Sequence, residues 1–186
     1  MDVVSFSPLS RELEKAALLA RRPLFADRLR SVGLPVPERD DWGVDHVQAG
    51  LEFYEPREDG TLSLIVPAYE GPELVDLVAC AFGSRQMRTR HGIASLLGFD
   101  WIEWAFLGNE PLQVFDDAFS WMRAEARGVV VLDWTDAPYL LREVPALRCE
   151  SEETAERLVR AFERPRPYPP VLVSPVLASN LSSATE

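Results

Sequence analysis

The sequence predicts an α+β fold: an N-terminal helix, a three-stranded antiparallel meander, a helical insertion, a strand-helix-strand unit and an extended C-terminal tail. Three observations lead there. Apolar runs between residues 44 and 82 recur at about ten-residue spacing with turn residues between them, the signature of a meander. Helix punctuation, a capping side chain followed by an amphipathic stretch, stands near both ends of the chain. At Pro165 the text turns proline-rich and poor in charge, so a single domain is expected over residues 1–164 and a proline-rich extended tail over residues 165–186. A chain of 186 residues with 47% hydrophobic content has enough apolar material for one packed core.

The elements follow in order. Ser7 offers a capping hydroxyl and Pro8 fits the first helical position. Leu9, Leu13, Ala16, Ala17, Ala20 and Leu24 recur at helical spacing toward Arg22, where Pro23 kinks the helix, and the pattern resumes through Phe25 and Leu29 until Gly33. Leu34 to Pro37 reads as linker and Glu38 to Gly43 as loop. Val44 to Tyr54 and Thr61 to Tyr69 read as strands, with Leu62, Leu64 and Val66 on one face of the second and Ile65 on the other. Glu70-Gly-Pro-Glu73 is a turn. Leu74 to Phe82 is apolar enough for a buried strand and spaced acceptably for a helix, and periodicity alone leaves both open.

Two helices are expected next. Thr89 can cap His91 to Leu97, with Gly98 at the left-handed end, and Asp100 with Glu103 forms a capping box whose hydrophobic staple is Phe99 and Trp104. Leu112 to Phe115, a helix capped by Asp116 or Asp117 and running through Arg127, and Val129 to Trp134 compose the strand-helix-strand unit, with parallel strands. Ala146 to Cys149 is a short strand, and Ser151 caps a helix ending near Glu163 whose first turn carries Glu152 and Glu153. In the tail, Arg-Pro-Arg-Pro-Tyr-Pro-Pro at 164–170 favours polyproline II, and Val171 to Val173 with Val176-Leu177 is apolar enough to dock on a partner or on the domain itself.

Charge and cysteines narrow the function. A net charge of −11 argues against general nucleic-acid or anionic-membrane affinity, and no uncharged run approaches the roughly 20 residues that span a bilayer. A cytoplasmic protein is expected, with a protein partner or self-association favoured over nucleic acid. Cys80 and Cys149 are far apart and apolar in context, so both are read as reduced core residues. His46 and His91 lack a neighbouring ligand set, and no cofactor is expected.

Three groups of residues could carry a site. Arg85, Arg88, Arg90 and His91 form the densest basic cluster, suited to a phosphate or carboxylate, although arginines in an acidic chain ordinarily pair with acidic neighbours. Glu70, Asp133 and Asp136 follow apolar strands and could hold Mg²⁺. The aromatic residues Trp101, Trp104, Phe106, Phe115, Phe119, Trp121 and Trp134 could stack bases, but their spacing is that of core-facing positions. No nucleophile elbow and no phosphate-binding glycine loop is present.

Two resemblances bear on this. Glu70-Gly71 after one strand and Asp133 to Asp136 after another look like the glutamate-glycine and Asp-x-Asp signatures of a Toprim domain, which implies a Mg²⁺-dependent phosphotransferase or nuclease; here two residues separate the aspartates instead of one, and a second metal-binding pattern is missing. A helix after Gly71 would strengthen that likeness. Residues 74–79 with Arg90-x-Gly-x-Ala94, Leu97-Gly98, Pro111-Leu112, Trp121-x-Arg123 and Gly128 to Trp134 resemble a group of uncharacterised bacterial proteins of prophage-type gene neighbourhoods, which implies a mobile-element context and no activity. The leading expectation is a non-catalytic binding or accessory protein using the Arg85 to His91 region and the tail. The Toprim-like enzyme and a structural or assembly protein with a docking tail are the alternatives.

Overall fold

A computed structural model of the chain describes residues 7–163. The tail expected from residue 165 onward lies outside them. Helices and strands mix as an α+β chain in which two sheets share a core. The chain opens with α1 (Pro8–Ala20), whose first turn is capped by the Ser7 hydroxyl accepting the Ser10 N–H at 3.2 Å, and α2 (Pro23–Ser31) begins on its proline after a break at Arg21 and Arg22.

β1 (Gly43–Ala49), β2 (Tyr54–Pro56), β3 (Thr61–Glu70), β4 (Glu73–Ala81) and β5 (Met87–Thr89) make a five-stranded antiparallel sheet in the order β2-β1-β3-β4-β5. The stretch that periodicity left open is therefore a strand, a β-hairpin partner that pairs with β3 from Glu70↔Glu73 to Ser63↔Ala81. Alternation sends Leu64, Val66, Val78 and Cys80 to one face and Ile65, Leu77 and Ala79 to the other, where Leu13 and Ala16 of α1 cover them. The approach is close: a Cβ at Gly43 would stand 2.2 Å from the Ala16 carbonyl carbon, so only glycine fits there. Lys15 closes the edge of this contact with an ion pair to the buried Asp45 at 2.9 Å.

The second half runs β6 (Leu96–Leu97), α3 (Asp100–Gly108), β7 (Leu112–Phe115), α4 (Ala118–Arg123), β8 (Val129–Val131), α5 (Ala137–Leu140), β9 (Leu147–Cys149) and α6 (Glu152–Phe162). Its four-stranded sheet has the order β6-β8-β7-β9, with β7 parallel to β8 and β9 as the strand-helix-strand pattern required, and β6 antiparallel to β8. Between the sheets Val66, Val78 and Cys80 pack in one cluster with Leu97, Phe119, Trp121 and Val130, and burial pushes the Cys80 thiol up to about 12. On the outer side of the second sheet, Leu112, Val114 and Val129 pack with Ala105, Ala137 and Leu158 of the helices and with Leu141 just after α5. Among the described residues no helix is long and apolar enough to cross a membrane.

Three local expectations are corrected. Residues 91–97 are not a helix, because Thr89 pairs with Val78 in β5 and Leu96 and Leu97 join β8, so the capping hydroxyl loses to two strand ladders. The capping box at α3 is not made: the N-cap is Phe99, and Asp100 Oδ1 accepts the Gly71 N–H at 3.2 Å, tying α3 to the β3–β4 turn. The left-handed residue after α3 is Asn109 (φ 49°). α4 stops at Arg123 instead of Arg127, because Glu125 and Ala126 turn to positive φ and the Trp121 indole donates to the Gly128 carbonyl at 2.9 Å.

One buried side chain organises the crossing between the sheets. Asp76, 0% exposed in the middle of β4, accepts the backbone N–H groups of Leu77 (2.8 Å), Arg90 (3.0 Å), His91 (3.0 Å), Ile93 (2.8 Å) and Ala94 (3.4 Å). A buried carboxylate is tolerated only when its lone pairs are satisfied in this way. The loop wound around it carries the chain from β5 into β6. Asp76→Ala should lower the unfolding free energy by about 3 kcal/mol or more, since several buried donors lose their acceptor together. The exposed Glu58→Ala should change it by no more than about 0.5 kcal/mol, and denaturant titration of both measures the contrast.

Candidate binding site

The residues singled out for chemistry are placed as follows. Arg85, at φ 60°, lays its guanidinium 3.9 Å from the Phe119 ring centroid, and its Nη1 is buried without a hydrogen-bond partner. Arg88 donates Nε–H to the Gly50 carbonyl at 3.3 Å and Nη1–H to the Met87 carbonyl at 2.7 Å. Arg90 pairs with Glu12 at 3.1 Å and donates to the Tyr54 carbonyl at 3.3 Å, while the Tyr54 hydroxyl donates to the other Glu12 oxygen at 2.7 Å. His91 gives its backbone N–H to Asp76 and exposes its side chain. The three arginine side chains thus engage separate partners, and Arg88 lines a cavity of about 280 Å³.

Glu70, Asp133 and Asp136 are not gathered either. Glu70 pairs with Glu73 at a hairpin end, Asp133 Oδ1 accepts the Thr135 N–H at 2.7 Å, and Asp136 is the N-cap of α5. Among the described residues no three His, Cys, Asp or Glu side chains are grouped to hold a metal ion. The strand β4 after Gly71 also removes the helix that a Toprim-like order would need.

The most conspicuous surface is α3, and it corrects the reading of the aromatic residues as core. Phe119 and Trp121 are buried, but Trp104 is 69% exposed, Phe106 55% and Leu107 70%. The reason is geometric. Asp-Trp-Ile-Glu-Trp-Ala-Phe-Leu-Gly is apolar around most of its circumference, whereas a helix on a sheet covers only a stripe of roughly 100°. Ala105 takes the buried stripe, with Phe99, Trp101 and Ile102 half-buried beside it. The other apolar side chains have nowhere to go but solvent. That signal was present in the sequence: a short helix with two tryptophans, an isoleucine, a phenylalanine and a leucine exceeds what one face can bury.

Grooves flank this ridge. One, about 400 Å³, lies between α3 and α5, with Phe99, Ile102, Phe106, Tyr139 and Leu140 along its walls and Asp100, Glu103 and Glu143 at its rim. The other, about 320 Å³, is lined by Trp101, Trp104, Pro111 and Leu112 on the β7 side. A third cleft, at the junction of the two sheets, differs in chemistry. Arg88, Trp134 and Arg157 line a cavity of about 280 Å³ together with Glu52, and Trp134, Arg157 and Arg160 line a neighbouring one of about 360 Å³ together with Glu153. There the Arg157 guanidinium stacks 3.9 Å from the Trp134 ring centroid. No protein-family model, curated protein or solved structure matches this chain.

Tyr54 and Glu12 generate a pH prediction. Desolvation, then the Glu12 charge, raise the Tyr54 phenol well above the ordinary tyrosine range, so the folded protein keeps this proton where the unfolded chain loses it. Stability from this group is complete below about pH 10, the unfolded-chain tyrosine value, and falls as pH rises beyond it. Tyrosinate absorbance should show Tyr54 ionising only as the protein unfolds, and Tyr54→Phe should flatten the alkaline loss of stability.

Proposed function

We propose that this chain is a non-catalytic binding protein that takes a partner through α3 and the grooves beside it. The observation that carries this reading is the exposure of Trp104, Phe106 and Leu107 on one helix. Together they present on the order of 400 Å² of apolar surface, a size at which an exposed patch commonly serves association. Tryptophan and other large aromatics anchored on a rigid element are the side chains on which interface energy concentrates. α3 is rigid by construction, held to the second sheet through Ala105 and to the β3–β4 turn through Asp100. Asp100, Glu103, Glu110 and Glu143 around the grooves favour a partner segment that is apolar and flanked by cations.

The Arg88, Trp134, Arg157 and Arg160 cleft supports a second reading, a small anionic ligand with a planar group. Guanidinium donors suit phosphate or carboxylate, and the tryptophan face suits stacking.

Affinity capture with the full chain separates the two. Trp104→Ala with Leu107→Ala should weaken partner retention by about 2 kcal/mol or more, as for interface anchors, while changing stability by no more than about 0.5 kcal/mol as surface substitutions do. Loss of retention with Arg88→Ala and Arg157→Ala, and not with the α3 variant, would overturn the first reading in favour of the second.

A further inference from the structure

We propose that the α3–α5 groove takes this chain's own segment 164–173, Arg-Pro-Arg-Pro-Tyr-Pro-Pro-Val-Leu-Val, as an intramolecular ligand; the proposal rests on α3 being a binding surface. The argument is one of complementary chemistry. Grooves walled by aromatic rings receive polyproline II segments, whose fixed backbone loses little entropy on docking and whose proline rings lie flat on the aromatic faces. Phe99, Phe106 and Tyr139 supply three such rings in one groove, with Ile102 and Leu140 between them. The segment carries the spacing this mode uses, since Pro167 and Pro170 stand three residues apart and Tyr168 adds an aromatic between them.

Charge fixes the choice of groove. Arg164 and Arg166 precede the prolines, and Glu186 is the only acidic residue from there to the end of the sequence. Asp100, Glu103 and Glu143 rim the α3–α5 groove, and among the described residues neither Glu103 nor Glu143 forms a salt bridge. The cleft at Trp134, by contrast, is lined by Arg88, Arg157 and Arg160 against Glu52 and Glu153, and suits the same cationic segment less well.

Reach is sufficient. α6 ends at Phe162 and packs against α5, which forms one wall of the groove. Val171 follows Phe162 by nine residues, a reach of up to about 30 Å for a fully extended chain, against a radius of gyration of about 15 Å for a compact chain of the described length.

The test uses the full chain with a photo-cross-linking phenylalanine derivative in place of Tyr168, irradiated at low protein concentration and mapped by mass spectrometry. The expected result is cross-linking within one chain to residues 99–106 or 139–143. Glu103→Arg with Glu143→Arg should reduce that yield several-fold, Arg164→Glu with Arg166→Glu should do the same, and combining all four should restore it. These glutamates are exposed, and unchanged circular dichroism shows that the fold is retained. Cross-links to the Trp134 cleft, cross-links between chains, or none at all would each overturn the proposal, and between-chain products would indicate assembly through the tail. Failure here with partner binding still sensitive to Trp104 and Leu107 removes the tail as occupant and leaves the α3 surface standing; tail cross-links with partner binding insensitive to α3 do the reverse.

Discussion

The carboxylate of Asp76 is the constraint on which the two halves of this molecule depend. A charged group at the centre of β4 with no solvent contact would be prohibitive in isolation, yet the backbone amides of residues 90, 91, 93 and 94 converge on it from a distant part of the chain. The loop cannot be a helix and still deliver those donors, and it cannot leave without exposing the carboxylate to an apolar interior. The arrangement is reinforced next door. Arg90, whose amide belongs to the Asp76 cage, sends its side chain to Glu12 on α1 and to the carbonyl of Tyr54, so α1, β2 and the loop are joined through one guanidinium. Fixing the loop fixes where β6 enters the second sheet, and α3 begins three residues after β6 ends.

From that point packing decides what faces water. The first sheet spends one face on α1 and the other on the shared core, and the second sheet has its outer face covered by α3, α5 and α6. A nine-residue helix laid on a surface as narrow as β6-β8-β7-β9 can bury little more than Ala105 and its half-buried neighbours. The surplus apolar side chains are thereby presented on a support that does not yield, which is the condition under which exposed aromatics gain most from association. The acidic rim then sets which apolar segments are welcome.

How much of this was readable depended on whether the deciding partner was near in sequence. Ser7, Asp117 and Ser151 were legible as helix caps because each acts on amides two or three residues away. The turn between β3 and β4 was legible for the same reason, whereas Val44 to Tyr54, read as one strand, divides into β1 and β2, and β5 was not expected. Thr89 was misleading, since a strand partner eleven residues earlier and a buried carboxylate outcompeted its local capping preference. Arg85, Arg88 and Arg90 looked like one surface only because sequence proximity says nothing about Phe119, Gly50 and Glu12, their long-range partners. Asp76 left a mark that could have been read, a lone charge inside Leu-Val-Asp-Leu-Val-Ala, where a carboxylate survives only with dedicated donors. For α3, composition held the clue and its register against the sheet did not.

The measurement that bears most directly on this account is native-state amide hydrogen exchange resolved to single residues. If Asp76 holds the crossing between the sheets, the amides of Arg90, His91 and Ile93 exchange only through global unfolding, as slowly as those of Val78 and Ala79 in β4, although they lie outside regular secondary structure. Exchange of these amides at the rate of an unprotected loop while β4 remains protected would contradict it, and would leave the placement of α3 without the anchor assigned to it here.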